Sequence, residues 1–397
     1  MVTGSLTLNA YQLQATTTDR TRGVGNGFDL AVLGLFGETG SLLSEVKKRQ
    51  RDSRSYLGYE DAVTEEMGDV LWYLAVITNH AGLTLATIAA GTVVEADRRD
   101  AEPSDILFAH LQRQARLALH APTVEFERTL LKLAGAVGHL AEMSTEGLAA
   151  MDRSGLGKRL ASIFDLLVVA ADDAGITLET AAIRNLEKAV DRWPVQRIFP
   201  PLFDETFPAE ERLPRSLTID IFEREASTGK HYVVQRCNGL FIGDRLTDNI
   251  MKPDDYRFHD AFHYAYAAVL GWSPVTRALF RLKRKSETNV DEGQDGARGI
   301  LIEEGVATFV FGQAKQLEFF AGRKAGDLSF TFLKAVRQFV RGYEAEACPL
   351  WLWEEAILRG NEAFRFLREN RRAQLRLDLH ARTLHVGELH QIGRAHV

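Results

Sequence analysis

Glu65–Ala75 reads EEMGDVLWYLA. Glu66 and Asp69 stand three residues apart, so on a helix they share one face. The residues that follow, Val70 to Ile77, are too apolar for a solvated helix. The spacing therefore predicts a buried helix that opens on a carboxylate pair, and such a pair needs a partner. Gly34–Lys48, GLFGETGSLLSEVKK, offers one. Glu38 and Glu45 are seven residues apart, almost two full turns, and share a face. If the two helices pack antiparallel, the carboxylates converge. Two bare carboxylates ~4 Å apart repel by about 4 kcal/mol at an effective dielectric of 20. A hard cation relieves this, and Mg²⁺ commonly bridges protein carboxylates to substrate phosphates. Alone, an ExxD pair is usually a solvated surface feature; the apolar run behind this one argues otherwise.

Outward from these helices, residues 1–195 read as helical, with alanine, leucine and charged residues at helical spacing. Helices are expected over Phe28–Arg51, Tyr59–Ala81 (stopped by Gly82), Asp105–Leu119, Val124–Met143, Gly157–Ala174 and Leu178–Asp191. Prolines 194, 200, 201, 208 and 214 then mark a linker, placed at residues 196–214. Leu217–Arg224 and His231–Cys237 alternate like strands around a turn at Ser227–Lys230, and Leu240–Ile242 reads as a third strand. After Asp254 the chain is helical to about Asn370. The expected fold class is mainly α: an N-terminal all-α bundle, then a mostly helical α+β domain at residues 215–390. Residues 391–397 stand apart. Ile392–Val397, IGRAHV, reads like a translated sequencing adapter, so a non-native tail is expected there.

The helical half holds a repeat. Gly34–Glu45 matches Lys132–Met143, and Gly68–Ala89 matches Ala161–Ala182, with Asn79–Gly82 over Asp172–Gly175 fixing the register. The expected domains are residues 1–97 and a degenerate copy at 98–195. The copy has lost its acids: Ala136 stands at the Glu38 position, His139 at Ser41, Arg159 at Glu66 and Ser162 at Asp69. Lys158 and Arg159 read more readily as solvent-facing than as phosphate ligands.

The segments Gly34–Lys48 and Glu65–Ala75 resemble the two signature helices of MazG-like nucleoside triphosphate pyrophosphohydrolases, and Tyr11-Gln12 fits the usual opening of such domains. The resemblance covers about residues 8–95. It implies an all-α fold and Mg²⁺-dependent cleavage (Mn²⁺ as a substitute) of a nucleoside or deoxynucleoside triphosphate to monophosphate and pyrophosphate. The family pattern is ExxE on one helix and ExxD on the next. Glu38 matches the first glutamate, and Glu66 and Asp69 match the second pair. Ser41 stands where the second glutamate belongs, which removes one anionic ligand; Glu45 compensates, or Ser41 holds water on the metal. Trp72 and Asn79 fall at nucleotide-binding positions. Lys47 and Lys48 are candidates to neutralise the phosphates, although such a charge run is more often solvated.

A second constellation lies in the C-terminal half. His259 and His263 are i and i+4 on an expected helix, as in HExxH zinc sites, with Asp260 in place of glutamate. Glu303 and Glu304 follow about forty residues later and offer a carboxylate ligand. Zn²⁺ or another metal is one reading; a hydrogen-bonded histidine core is the other. Between these segments, Arg277, Arg281, Lys283, Arg284 and Lys285 form a basic run suited to a phosphate backbone or a generic solvated face. No enzyme family is recognised in residues 215–390.

Composition bounds the rest. The net charge of −6 argues against a surface built for nucleic acid. Cys237 and Cys348, far apart, make no disulfide framework, and no segment reads as a signal peptide or membrane span, so the cytoplasm is expected. The repeat removes the need for a homo-oligomer without forbidding one. Besides pyrophosphate release, two other readings stand: a nucleotide-binding sensor without turnover, and a metallohydrolase centred on His259, His263 and Glu303.

Overall fold

In the computed structural model, residues 6–21, 23, 25–92, 106–112, 120–144 and 152–389 are described. The chain divides into two compact units, Met1–Val190 and Asp191–Val397. The expected tail at residues 391–397 lies outside the described residues.

The first unit is helical: α1 (Leu8–Thr17), α2 (Gly27–Asp52), α3 (Tyr59–His80), α4 (Leu85–Ala89), α5 (Val124–Ser144), α6 (Arg153–Ala174) and α7 (Leu178–Arg192), whose last turn crosses the unit boundary. Leu35 and Leu42 of α2, Leu71 and Leu74 of α3, Leu133 and Val137 of α5 and Phe164 of α6 share one core. Two glycines permit close approaches to α3 or from it. A Cβ at Gly34 would lie 2.1 Å from the Tyr73 ring, and one at Gly68 would lie 2.6 Å from the Ala181 carbonyl oxygen of α7.

One bracket occurs twice in this unit. Gln12 donates to Leu83 O and accepts from Leu85 N–H, at 3.1 and 2.8 Å. Gln112 does the same with Ile176 O and Leu178 N–H, at 3.0 and 2.7 Å. Thr84 and Thr177 each accept from the N–H three residues on. Leu6–Leu8 and Ile106–Phe108 pair reciprocally, Leu8 N–H to Ile106 O and Phe108 N–H to Leu6 O. The helix expected over Asp105–Leu119 is therefore corrected for its described part: Ile106–Gln112 holds a β-bridge and a single 3-10 turn at Phe108–His110. The pairing with Leu6–Leu8 takes the N–H and C=O groups that a helix would have used internally. Residues 113–119 are outside the described set.

In the second unit a five-stranded antiparallel sheet has the order β3-β2-β1-β4-β5. The strands are β1 (Ser216–Glu225), β2 (His231–Cys237), β3 (Leu240–Leu246), β4 (Arg372–Asp378) and β5 (Thr383–Gly387). Ile219 pairs with Cys237 on one side and Leu375 on the other. Leu217, Ile219 and Ile221 alternate inward with Ala373, Leu375 and Leu377. Helices α8 (Asp260–Ala265), α9 (Pro274–Phe280), α10 (Thr288–Gly293), α11 (Ala297–Gln316), α12 (Phe330–Phe339) and α13 (Leu350–Asn370) complete the unit. A π-helical turn, Tyr266–Leu270, continues α8. α13 passes close to α8 at Gly360, where a Cβ would lie 3.1 Å from Phe262.

The proline-rich stretch is irregular but is no free tether. Leu202 and Leu213 are buried in the second unit's core, and the buried Asp204 accepts from Leu213 N–H at 2.7 Å and from Arg277 at 2.6 Å. Proline forbids the helix there, while two leucines and one carboxylate fix the path. Among the described residues no helix is long and apolar enough to cross a membrane.

Candidate functional sites

In the first unit α2 and α3 bring Glu38, Glu66 and Asp69 together, with one carboxylate oxygen of each within 4.8 Å of the others. Gly34 permits the close approach, because its missing side chain admits Tyr73. Burial raises the affinity of all three carboxyls for protons, and their mutual repulsion adds to it for Glu38 and Glu66. Glu66 is pushed up to about 8 by burial, then by Asp69 and Glu38. Glu38 is raised by burial and by Asp69, against hydrogen bonds from Glu66 and Ser41. Asp69 is raised by burial, against the attraction of Lys188. Glu66 Oε2 is buried and makes no hydrogen bond. An all-oxygen donor set with an orphaned carboxylate oxygen fits Mg²⁺ or Mn²⁺.

Two residues absent from the sequence reading complete this group. Lys188 of α7 lies 2.5 Å from Asp69 and 2.9 Å from Glu65. Asn185, one turn earlier, donates to the other Asp69 oxygen at 2.9 Å and accepts from Tyr11 Oη at 3.2 Å. Gly68, between Glu66 and Asp69, lets α7 come this close. The available signal was the i, i+3 spacing of Asn185 and Lys188; which helix they face does not follow from spacing.

Several expected site residues are used elsewhere. Glu45 is outside the group of three, since Lys48 holds it at 2.6 Å and Tyr56 Oη donates to it. Lys48 is thereby committed to Glu45, and Lys47 is exposed, nine residues or about 13 Å along the helix from Glu38. The Trp72 indole N–H donates to Ala15 O at 3.1 Å and lies 3.2 Å from Thr18 Oγ, so Trp72 ties α3 to α1. Asn79 is exposed, ten residues or about 15 Å beyond Asp69. Ser41 keeps a place at the site beside Glu38, whose proton affinity it lowers. In the second half of the unit His139, Lys158, Arg159 and Ser162 are all exposed.

The second unit gathers His259, Asp260 and His263, again with ligand atoms within 4.8 Å, all three buried. Glu303 accepts at 2.9 Å from His263 Nδ1 and at 2.7 Å from Ser273, and its other oxygen accepts from Val275 N–H at 2.8 Å. Glu304 Oε2 lies 3.6 Å from His259 Nε2 and 3.5 Å from His263 Nε2. The two imidazoles hold Glu304 well below the usual carboxylate range, against its burial. The basic run is not a phosphate surface throughout. Arg277 and Arg284 are buried; Asp204 holds the first, and Asp295 and Glu344 hold the second. Their guanidinium groups are satisfied inside the core.

A helical unit with a carboxylate centre, followed by an α+β unit with a histidine–carboxylate centre, defines the class. Residues 198–390 match the family described as MazG C-terminal domain. Gene 37 protein of Mycobacterium phage L5 is 33% identical over 88 residues, which cover 20% of this chain and 77% of that protein. The chain belongs to the MazG-related family. The half in which no enzyme family was recognised is thus the half that the family match covers. No solved structure matches the chain.

Proposed function

We propose that the first unit hydrolyses nucleoside or deoxynucleoside triphosphates to the monophosphate and pyrophosphate. The observation that carries this reading is the convergence of Glu38, Glu66 and Asp69 around a buried, orphaned carboxylate oxygen. These three residues would hold Mg²⁺, or Mn²⁺ in its place. The bound ion supplies charge neutralisation at the phosphate oxygens. In the reaction a water oxygen bonds to the α-phosphorus and the α–β bridging bond breaks. Pyrophosphate leaves with the electron pair. A carboxylate of the group takes the water's proton, and an affinity near neutrality suits that task. Ser41 favours the ionised form of Glu38, while Lys188 and Asn185 orient Asp69. The twin glutamine brackets support reading residues 98–195 as a degenerate copy that supplies those partners. A cytoplasmic site of action belongs to this reading, and the wide sequence separation of Cys237 and Cys348 supports it.

Pyrophosphate release from a panel of ribo- and deoxynucleoside triphosphates, with Mg²⁺ or Mn²⁺, tests this. Asp69→Asn should lower the rate by ~10²–10³-fold, the order seen when one charge-stabilising group is removed. Ser41, in place of a carboxylate, favours a second reading, nucleotide binding without turnover. Binding by the parent chain with no pyrophosphate from any nucleotide would establish that one instead.

A further inference from the structure

We propose that the second unit binds one divalent transition-metal ion of the zinc class, ligated by His259, Asp260, His263 and Glu304. The hydrogen bonds of both imidazoles direct them at this point. His259 Nδ1 faces Tyr256 O at 2.9 Å, and His263 Nδ1 faces Glu303 Oε1 at 2.9 Å. Both partners only accept, so each Nδ1 carries a hydrogen and each Nε2 presents either a lone pair or a second proton. Glu303 is itself held by Ser273 and Val275, as expected of a carboxylate that orients a metal-bound histidine from outside the ligand set. Asp260 is likewise fixed, its Oδ2 accepting from Gln235, which in turn accepts from Tyr264 Oη at 2.5 Å.

The separations decide between a proton and a metal. His263 is 1% exposed, and its Nε2 is buried and makes no hydrogen bond. It lies 3.5 Å from Glu304 Oε2, beyond the usual range of an N–H···O bond. His259 Nε2 lies 3.3 Å from Asp260 Oδ1 and 3.6 Å from Glu304 Oε2. These gaps are long for proton-mediated contacts. A tetrahedral ion with bonds of about 2.0–2.2 Å has ligand atoms about 3.3–3.6 Å apart, and the His259–Asp260 separation of 3.3 Å and those of Glu304 from the two imidazoles, 3.5 and 3.6 Å, match it. Two imidazoles with two carboxylates and no thiolate suit zinc and its neighbours rather than magnesium or calcium. Glu304, 38% exposed on its side chain, is the ligand that reaches solvent and the one a water or substrate oxygen would displace.

The test is metal content of the full-length chain after zinc loading and removal of loose ion. About one zinc per chain should be retained. Cobalt in its place should give the intense visible absorption of a four-coordinate N/O site, which a six-coordinate carboxylate site does not give. Glu303→Gln should weaken zinc affinity by about 10–100-fold, and His259→Gln with His263→Gln should abolish retention. Asp69→Asn should leave the zinc count unchanged, which separates this site from the carboxylate group of the first unit. Absence of retained zinc and of the cobalt absorption in the unaltered chain would overturn the proposal, whatever the variants do. So would retention unaffected by the double histidine change.

Discussion

Glu66 has a higher proton affinity in the folded chain than in the unfolded one, and this fixes the sign of a pH effect. Its folded value is about 8, against 4.5 for the free side chain. Below both values the group is protonated in either state and costs nothing. Between them the unfolded chain ionises and the folded chain resists, so stability is lost progressively as pH rises through about 8. Glu38 and Asp69 are raised too and act in the same direction. The metal-free protein should therefore show a falling melting temperature from pH 6 to pH 9. Mg²⁺ should reduce that slope, and Glu66→Gln should flatten it. A metal-free melting curve that rises over this range would contradict the carboxylate reading. Lys188 belongs to the same balance, as the cation nearest to Asp69 in the protein itself. Lys188→Met leaves Asp69 with Asn185 alone and should cost roughly 1–3 kcal/mol without metal. The stabilisation by Mg²⁺ should then be larger than in the parent, because the ion replaces a missing charge. Thermal denaturation with and without Mg²⁺ reads both quantities.

At the scale of elements, the periodicity of apolar residues located α2 and α3 to within a residue or two of their ends, since both helices are long and bury one face. The group Glu38, Glu66 and Asp69 was legible for the same reason: i, i+3 spacing on buried helices fixes which side chains share a face. Strands β4 and β5 were missed, although Ala373, Leu375, Leu377 and Leu379 alternate inward as clearly as β1 does. β4 follows directly on α13, and Arg371, the capping residue just after that helix, turns the chain at φ 60° without a glycine or proline to mark the break. Lys188 and Asn185 were not legible because a helical face states that something packs on it, never what. Gly68 is where that packing is decided. A methyl group there would meet Ala181 O at 2.6 Å and Asn185 Cβ at 3.0 Å. Gly68→Ala should thus force α7 away from α3, at a cost of about 1–3 kcal/mol. The helix propensity of alanine, worth less than ~1 kcal/mol, would not offset it. Urea denaturation would show the loss, and a variant as stable as the parent would mean that α7 does not approach α3 as described.

Over the whole first unit, the acids and their partners come from opposite ends of the chain segment. Glu38, Glu66 and Asp69 lie before residue 97; Asn185 and Lys188 lie after it. The core is shared in the same way, with Leu35 and Leu42 in one cluster with Leu133, Val137 and Phe164. A chain ending at Asp97 would expose that apolar face, and a second copy could cover it if the two halves are duplicates. In the register of the repeat, Lys188 corresponds to Glu95 and Asn185 to Thr92. The short chain thus carries an acid, Glu95, at the sequence position equivalent to Lys188, where the full chain supplies a cation. The shortened chain should therefore have lost pyrophosphate release, whether it stays monomeric or pairs, while a chain ending at Trp193 should retain it. Size-exclusion chromatography together with the pyrophosphate assay separates these cases. Full activity in the chain ending at Asp97 would show that α7 is dispensable and that the acidic group is complete without Lys188.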